Sequence, residues 1–333
     1  MIAVFVNPRS RANRKNPRLV VRLERALGDA GRLIAPESLE ALQTEARTLA
    51  AAAPRVIAVH GGDGTLHRTL SALTTVWGDR PLPPIAVLGG GTMNVVSSSL
   101  HIRAPALWFL TRLAEMARAG AEPAVILRRC LRVGDRVGFV FGNGVLASFL
   151  VEYYARGGYG PARAVWLLAR LVMSGTVGGP FAARVARRFK GRVTIDGEPM
   201  KAQDFTALAA GTVREIGFGF KLIDRADDDP DRFGVVAIHS GVLALVADLW
   251  AVRAGRGINP RRATSTLASR LAIEPDGPGS PYTIDGDYYR SEGSLVVEVG
   301  PRIAIVDPRA FARRAQPRLG ELRRSAGGDT MGL

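Results

Sequence analysis

Two short apolar strands near the N-terminus each run into a glycine-rich turn and out into a helical stretch, and this pair of units restricts the fold more than any other feature. The first is Val56-Ile57-Ala58-Val59-His60, followed by Gly61-Gly62-Asp63-Gly64-Thr65 and by helical spacing from Leu66. The second is Ile85-Ala86-Val87-Leu88, followed by Gly89-Gly90-Gly91-Thr92-Met93-Asn94 and a helix from Val95. Glycine lets the backbone approach a phosphate closely, and the first amides of the following helix are unpaired donors at the positive end of its dipole. A lone Gly-Gly pair in such a place is ordinary connection. Two hydroxyl-bearing glycine turns at neighbouring ends of a parallel sheet share one edge, and at that edge open α/β sheets bind their ligands.

The rest of the first third supports a parallel sheet. Apolar strands at Ile2–Val6, Val56–Val59 and Ile85–Leu88 alternate with helical stretches at Leu19–Leu27, Leu39–Ala53, Leu66–Leu73 and Ala106–Ala119, the rhythm of βα units. From Val125 the strands become short, β-branched and closely spaced: Val125–Val133, Val137–Phe141, Val193–Ile195, Phe205–Ala210, Val235–Ile238, Ser280–Ile284, Leu295–Val299 and Ile303–Val306. The expected architecture is α/β, with a Rossmann-like parallel-sheet N-terminal domain and a β-rich, mostly antiparallel, sandwich-like C-terminal domain. The expected division is 1–124 for the nucleotide-binding domain with a return segment at about 302–318, 125–301 for the β-rich domain, and 319–333 as a basic, unstructured tail.

Composition narrows the partners. The 333 residues carry 45 Lys and Arg against 30 Asp and Glu, a formal charge of +15, which suits a polyanionic partner. No nucleic-acid reading module is present and few aromatics sit in the basic patches, so an anionic membrane surface is expected and nucleic acid is not. The single cysteine, Cys130, excludes an intramolecular disulfide and suits a reducing cytoplasm. Met1 to Val6 is too short an apolar stretch for a secretory signal and reads as a strand. Phe233 to Val252 approaches spanning length, but His239-Ser240-Gly241 interrupts it and Asp248 would be charged in lipid, so a strand and a helix are expected there.

At the glycine turns the sequence resembles the diacylglycerol kinase and sphingosine kinase family of lipid kinases, which is similar in turn to NAD kinases and phosphofructokinases through the Gly-Gly-Asp-Gly turn. Asn7-Pro8-Arg9-Ser10 is similar to the family's opening turn, Gly61–Thr65 to its signature, Gly91-Thr92-x-Asn94 to its Gly-Thr-Gly-Asn segment, and Asp285-Gly286-Asp287 to its late Asp-Gly-Glu. Departures from the pattern are Arg11, Gly90, Met93, His67-Arg68 in place of Asn-Glu, and Asp287 in place of glutamate. The resemblance implies an ATP-dependent kinase, using Mg²⁺, that phosphorylates a membrane-lipid hydroxyl. Diacylglycerol going to phosphatidic acid is the first choice, and a sphingoid base or ceramide the nearest rival. An NAD kinase fits less well. A non-catalytic, membrane-binding, nucleotide-sensing relative is the competing class.

The resemblance also implies roles. Asn7, Pro8, Arg9, Ser10, Gly61, Gly62, Asp63, Gly64, Thr65, Gly91, Thr92 and Asn94 would hold the nucleotide, with Arg9, Arg14 and Lys15 as candidate phosphate clamps. From spacing alone, Asp285-Gly286-Asp287 and Asp196-Gly197-Glu198 are equal candidates for a catalytic carboxylate turn, and either could be a plain hairpin. Position within the family favours the later one, with Asp285 as general base, Asp287 as its partner on the metal or nucleotide, and Asp63 as the competing base. Asp224, Asp227, Asp228, Asp229 and Asp231 crowd together before the Phe233 strand. Asp227, Asp228, Asp229 and Asp231 are candidate ligands of a structural Mg²⁺, with a solvated acidic turn as the equal alternative.

The helix starting at Pro161 is apolar nearly all round, with Arg163 and Arg170 its only charges, and is expected to be core with partial lipid contact. Arg184, Arg187, Arg188, Lys190 and Arg192 follow it, and Arg309, Arg313, Arg314, Arg318, Arg323 and Arg324 lie in the tail. Each cation near an anionic leaflet contributes about 1 kcal/mol, so the enzyme is expected at the inner face of the cytoplasmic membrane, held peripherally. The expected partners are thus a membrane lipid and an anionic membrane surface, with a second copy of the chain as a further candidate in a homodimer.

Overall fold

The computed structural model describes residues 1–91, 93–155 and 160–311. Its first part is a parallel sheet in which β1 (Ile2–Val6), β2 (Gly31–Ile34), β3 (Val56–Gly61) and β4 (Ile85–Gly89) lie in the order β4-β3-β1-β2. β1 and β3 are buried at every residue, as strands covered on both faces require. In register Val6 faces His60, His60 faces Leu88 and Gly61 faces Gly89, so the carboxyl ends of the three strands form one edge. The helices are α1 (Arg11–Lys15), α2 (Arg18–Leu27), α3 (Leu39–Ala52), α4 (Asp63–Trp77), α5 (Val95–Ser99) and α6 (Ala106–Arg118). α3 starts at Ser38, whose hydroxyl accepts from the Ala41 amide. α4 buries Leu66, Leu70, Leu73 and Trp77, an i, i+4, i+7, i+11 stripe in which each side chain contributes about 1.5–3 kcal/mol.

The second part contains β5 (Val125–Val133), β6 (Arg136–Gly138), β7 (Val140–Gly144), α7 (Val145–Tyr154), α8 (Pro161–Thr176), α9 (Pro180–Val185), β8 (Phe189–Ile195), β9 (Glu198–Pro199) and β10 (Asp204–Phe205). There follow β11 (Ala207–Gly211), β12 (Phe233–Ile238), α10 (Val242–Arg253), β13 (Ala263–Ala268), β14 (Arg270–Pro275), β15 (Pro281–Ile284), β16 (Asp287–Arg290) and β17 (Leu295–Val306). Six of these strands form an antiparallel sheet in the order β13-β12-β11-β7-β15-β16. Alternation along β11 explains its burial on both faces. Leu208 and Ala210 join Phe141, Val193, Leu271 and Val297 in a core between two sheets, which makes the second part a sandwich. Ala207 and Ala209 pack instead with Val145, Leu167, Leu171 and Phe181 of the helical layer.

The strands expected at Leu295–Val299 and Ile303–Val306 are one long strand, β17, with a register shift between Val299 and Arg302. Its late residue Ile305 pairs parallel with Ile85 of β4, whereas its early residues pair antiparallel with β14. The chain's last described strand therefore joins the parallel sheet to β14, β8 and β10 in one eleven-stranded mixed sheet. Hydrogen bonds also tie the two parts together. His67 of α4 reaches Val137 O through Nδ1 at 2.7 Å and Tyr289 Oη through Nε2 at 2.8 Å. The expected tail, 319–333, lies outside the described residues.

Candidate nucleotide and acceptor cleft

A cleft of about 790 Å³ opens along the carboxyl edge of β1, β3 and β4. Asn7, Pro8, Arg9 and Ser10 line it after β1, Gly62, Asp63, Gly64 and Thr65 after β3, and Gly91 and Met93 after β4. The turns are held by one another. Asn7 Nδ2 donates to Thr65 Oγ1 at 3.0 Å, Asn13 Nδ2 donates to Asn7 O at 2.7 Å, and Gly90 N donates to Gly61 O at 2.8 Å. Behind them the buried His60 ring bridges Leu88 O and Asn13 Oδ1, each 3.0 Å away, and burial pushes its pKa down.

The two glycine turns approach so closely that side chains are excluded. A Cβ on Gly91 would lie 2.4 Å from the Cα of Gly62. Asn94, at φ 49°, accepts from the Gly91 amide at 2.9 Å and so fixes that turn's shape. Ser10 Oγ is buried in the cleft wall with no protein partner among the described residues. A backbone hollow that a methyl group would fill, a hydroxyl awaiting a partner and the N-terminus of the fifteen-residue α4 together fit a polyphosphate.

Three carboxylates share this cleft, and their surroundings differ. Asp63 Oδ1 accepts from Val96 N at 3.3 Å, capping α5 from across the cleft rather than its own turn. Burial pushes its pKa up to about 6. Asp285, at φ 48° and 7% exposed, accepts from Phe139 N at 3.0 and 3.1 Å and from Val140 N at 2.9 Å. Burial, with the charges of Asp63 and Asp287 adding to it, raises its pKa well above the usual carboxylate range despite those amide donors. Asp287 faces the cleft, its Oδ2 accepting from Arg68 Nε at 2.6 Å. It also crowds the signature turn: a Cβ on Gly64 would lie 2.7 Å from Asp287 Oδ1.

The two late carboxylate candidates meet different surroundings. Asp285, expected as the general base, has both carboxylate oxygens committed to backbone amides and staples β15 to the β6–β7 turn. Asp196, its rival in the sequence, does the same elsewhere: at φ 50° its Oδ1 accepts from Ser269 N and Arg270 N, each at 2.8 Å. Of the three carboxylates that line the cleft, Asp287 is paired with Arg68, whereas Asp63 and Asp285 accept from backbone amides.

The remaining candidates separate. Arg9 and Arg14 line the cleft, joined by Arg11 and Arg68, whereas Lys15 is exposed and is not among the lining residues. Thr92 lies outside the described residues. In the acidic loop Asp227 pairs with Arg128 at 3.0 Å, Asp228 with Arg225 at 2.8 Å, and Asp231 with Arg129 at 2.9 Å and with Arg302. Asp229 Oδ1 accepts from Asp231 N at 2.8 Å, and Asp224 from Ser265 Oγ at 2.6 Å. Among the described residues no three His, Cys, Asp or Glu side chains gather as a metal site, here or in the cleft, so the Mg²⁺ ligand set expected of Asp227, Asp228, Asp229 and Asp231 does not assemble. A Mg²⁺ ion in the cleft would take one or two carboxylates and complete its shell with phosphate oxygens and water, which is its usual habit.

Comparison with known proteins now bears on this geometry. Residues 1–124 match the diacylglycerol kinase catalytic domain family. The lipid-kinase resemblance holds. No match is found among curated protein sequences. The whole fold is similar to three solved structures that carry the diacylglycerol kinase name, all from Bacillus anthracis str. Sterne. TM-scores are 0.61, 0.68 and 0.66 and identities 14%, 15% and 14%, over 92–93% of this chain and 96–98% of theirs.

Within this kinase-like frame the departures from the family pattern have partners. Arg68 meets Asp287, the shortened acid, and His67 meets Val137 and Tyr289, so the two adjacent substitutions both tie the N-terminal part to the second part. Met93 fills space beside Gly217, where a Cβ would lie 2.8 Å from its sulfur. His67 and Arg68 were visible in the sequence as departures, but Tyr154, which lines the cleft, Tyr289, and the Phe139 and Val140 amides carried no sequence signal, because only the folding of α7 and the pairing of β7 with β15 and of β15 with β16 bring them to the groups they meet.

Proposed function

We propose that this protein is an ATP-dependent lipid kinase that transfers the γ-phosphate to a hydroxyl of a membrane lipid, diacylglycerol being the favoured acceptor and phosphatidic acid the product. The observation that carries this reading is the close approach of the Gly62 and Gly91 turns in a cleft that Asp287 also lines. In the reaction the acceptor oxygen forms a bond to the γ-phosphorus, the bond to the β–γ bridging oxygen breaks, and ADP leaves with that electron pair. Asp287 takes the hydroxyl proton, Asp285 positions the turn that carries Asp287, and Asp63 orders α5 and the second glycine turn. Mg²⁺ bound with the nucleotide would supply neutralisation of phosphate charge. Arg9, Arg11 and Arg14 lie on the cleft wall where they add to that neutralisation.

The lipid acceptor places the protein at a membrane surface. No helix among the described residues is long and apolar enough to cross a membrane. Radiolabelled phosphate transfer from Mg-ATP across a panel of diacylglycerol, sphingosine, ceramide and NAD tests the reading. Label in phosphatidic acid is the expected result. Label in ceramide or sphingosine alone would replace the acceptor, label in NAD would replace the class, and no transfer to any acceptor would leave the nucleotide-sensing relative.

A further inference from the structure

Eight of the fourteen large apolar side chains that stand exposed among the described residues belong to one helical layer or its connections: Val151 and Tyr154 on α7, Val165, Trp166 and Met173 on α8, Val177 just after it, and Leu243 and Trp250 on α10. On α8 the inner face is Ala164, Leu167 and Leu171, all buried. The opposite face repeats the helical spacing with Ala162, Trp166, Ala169 and Met173, all exposed, and Val177 continues it. The helix is thus apolar on two sides and packed on one. α10 is apolar all round apart from Asp248 and Arg253, yet Val252 is its one fully buried residue. Its exposed stripe is Leu243, Ala247 and Trp250, with Trp250 83% exposed. A helix of that character is normally buried or in a membrane, and at twelve residues α10 is about 18 Å long against the roughly 30 Å of a bilayer core.

The two helices meet. Leu243 lies against Gly175, where a Cβ would be 3.2 Å from Leu243 Cδ2. Beside this contact is a hollow of about 360 Å³ lined by glycines and alanines of α8, α9 and their flanks and by Val242 and Leu243. Toward the other end of the layer, Tyr154 at the end of α7 lines the catalytic cleft near Gly286. The same helical layer therefore carries the exposed apolar stripes and, through Tyr154, part of the cleft lining.

Charge decides what covers it. α7 to α10 carry two acids, Glu152 and Asp248, and these are tied to Arg184 and Arg262. The other charges on these helices are all cationic: Arg163, Arg170 and Arg253, with Arg170 lying 5.4 Å over the Trp166 ring. A second copy docking by two-fold symmetry would set this cationic patch against itself. An anionic leaflet offers the opposite charge to the arginines, hydrocarbon to the apolar stripes and an interfacial layer to the tryptophans.

We propose that the outer faces of α8 and α10, with the end of α7, form a monotopic docking surface that dips into the interface of an anionic bilayer and sets the cleft mouth against the lipid. This deepens the kinase reading, on which its purpose rests, but binding can be measured without turnover. Phosphatidylcholine vesicles with and without phosphatidylglycerol, some with brominated acyl chains, are mixed with the full chain in the absence of nucleotide. The protein is expected to sediment with the phosphatidylglycerol vesicles and to lose tryptophan emission to bromine. Trp166→Phe with Trp250→Phe removes the quenched emission and leaves that of Trp77 and Trp108. Met173→Asp with Trp250→Asp lowers vesicle partition at least about tenfold with the melting temperature and Mg-ATP binding unchanged, since both side chains are exposed. The surface is overturned by folded protein that stays in the supernatant, by quenching that persists in the double phenylalanine variant, by partition untouched in the double aspartate variant, or by a solution dimer that Trp250→Asp splits. Docking without transfer to any lipid leaves this surface standing and removes the kinase reading; transfer to detergent-dispersed lipid without docking does the reverse.

Discussion

The Asp196-Gly197-Glu198 turn and the Asp285-Gly286-Asp287 turn are nearly the same object. Each joins two strands of an antiparallel hairpin, each holds its first aspartate at positive φ near 50°, and each uses that aspartate to accept amide hydrogens from a neighbouring strand. They differ two residues on. Glu198 is exposed on a two-residue edge strand, whereas Asp287 faces Gly64 and Arg68 across the cleft. The first acid of the motif is a device for making a turn; what surrounds the second decides whether the turn does chemistry.

The sharpest way to break this comparison is to neutralise the second acid in each turn. Asp287→Asn is expected to lower kcat by about 10²–10⁴-fold, the usual contribution of a general base, while calorimetric Mg-ATP affinity stays near wild type. Glu198→Gln should leave both unchanged. Equal effects of the two would mean that the turns are not differentiated by their surroundings.

Neutralising the first acids tests their likeness. Asp196→Asn leaves backbone amides facing a poorer acceptor, and denaturant unfolding should show that variant less stable by about 1–3 kcal/mol. Asp285 makes similar bonds, but burial raises its pKa well above the usual range, so Asp285→Asn should lose less than Asp196→Asn at pH 7.5. A folded Asp285→Asn protein with wild-type stability and no turnover would return the base to Asp285. Asp63, which shares the cleft but caps α5 from outside it, should behave in the opposite sense to Asp196. Its folded pKa of about 6 lies above the unfolded value, so its ionisation costs stability as pH rises through that range. Asp63→Asn is expected to raise stability by about 1–2 kcal/mol at pH 7.5, with the gain fading as pH falls toward 4, in melts run across that range. A gain that grows in acid would contradict the assignment.

The smallest effect belongs to Arg68. Its pair with Asp287 is half in water, so Arg68→Ala should change stability by less than about 1 kcal/mol in urea titrations. A loss of several kcal/mol would show that the pair holds the two parts of the molecule together.

How much of this was legible depended on how local each feature is. The glycine turns, the buried strands β1, β3 and β4 and the inner stripe of α4 follow from neighbouring residues and were readable as such, and so was the change to short strands after Val125. β13, β14 and β16 were not read, because Thr264, Ser265, Thr266, Glu274 and Asp287 interrupt the apolar pattern that marks a strand. The long course of β17 was hidden by Gly300-Pro301 inside it, where the register shifts. At the site, the residues that cradle phosphate were visible because backbone geometry demands glycine there, whereas Asp285 and Asp287 could not be told apart, because their roles depend on amides and an arginine distant in sequence. The aspartates from Asp227 to Asp231 suggested a metal by density alone, and their arginine partners on β5 and β17 are equally remote.

The central claim is that the touching glycine turns bind a nucleotide's phosphates. Calorimetric titration of Mg-ATP into the wild-type protein and into Gly91→Val tests it most directly, since any side chain at Gly91 meets backbone at 2.4 Å. Saturable binding to wild type, weakened by about 100-fold or more in the folded variant, is the expected result. No binding by folded wild-type protein, or undiminished binding by the variant, would contradict the account.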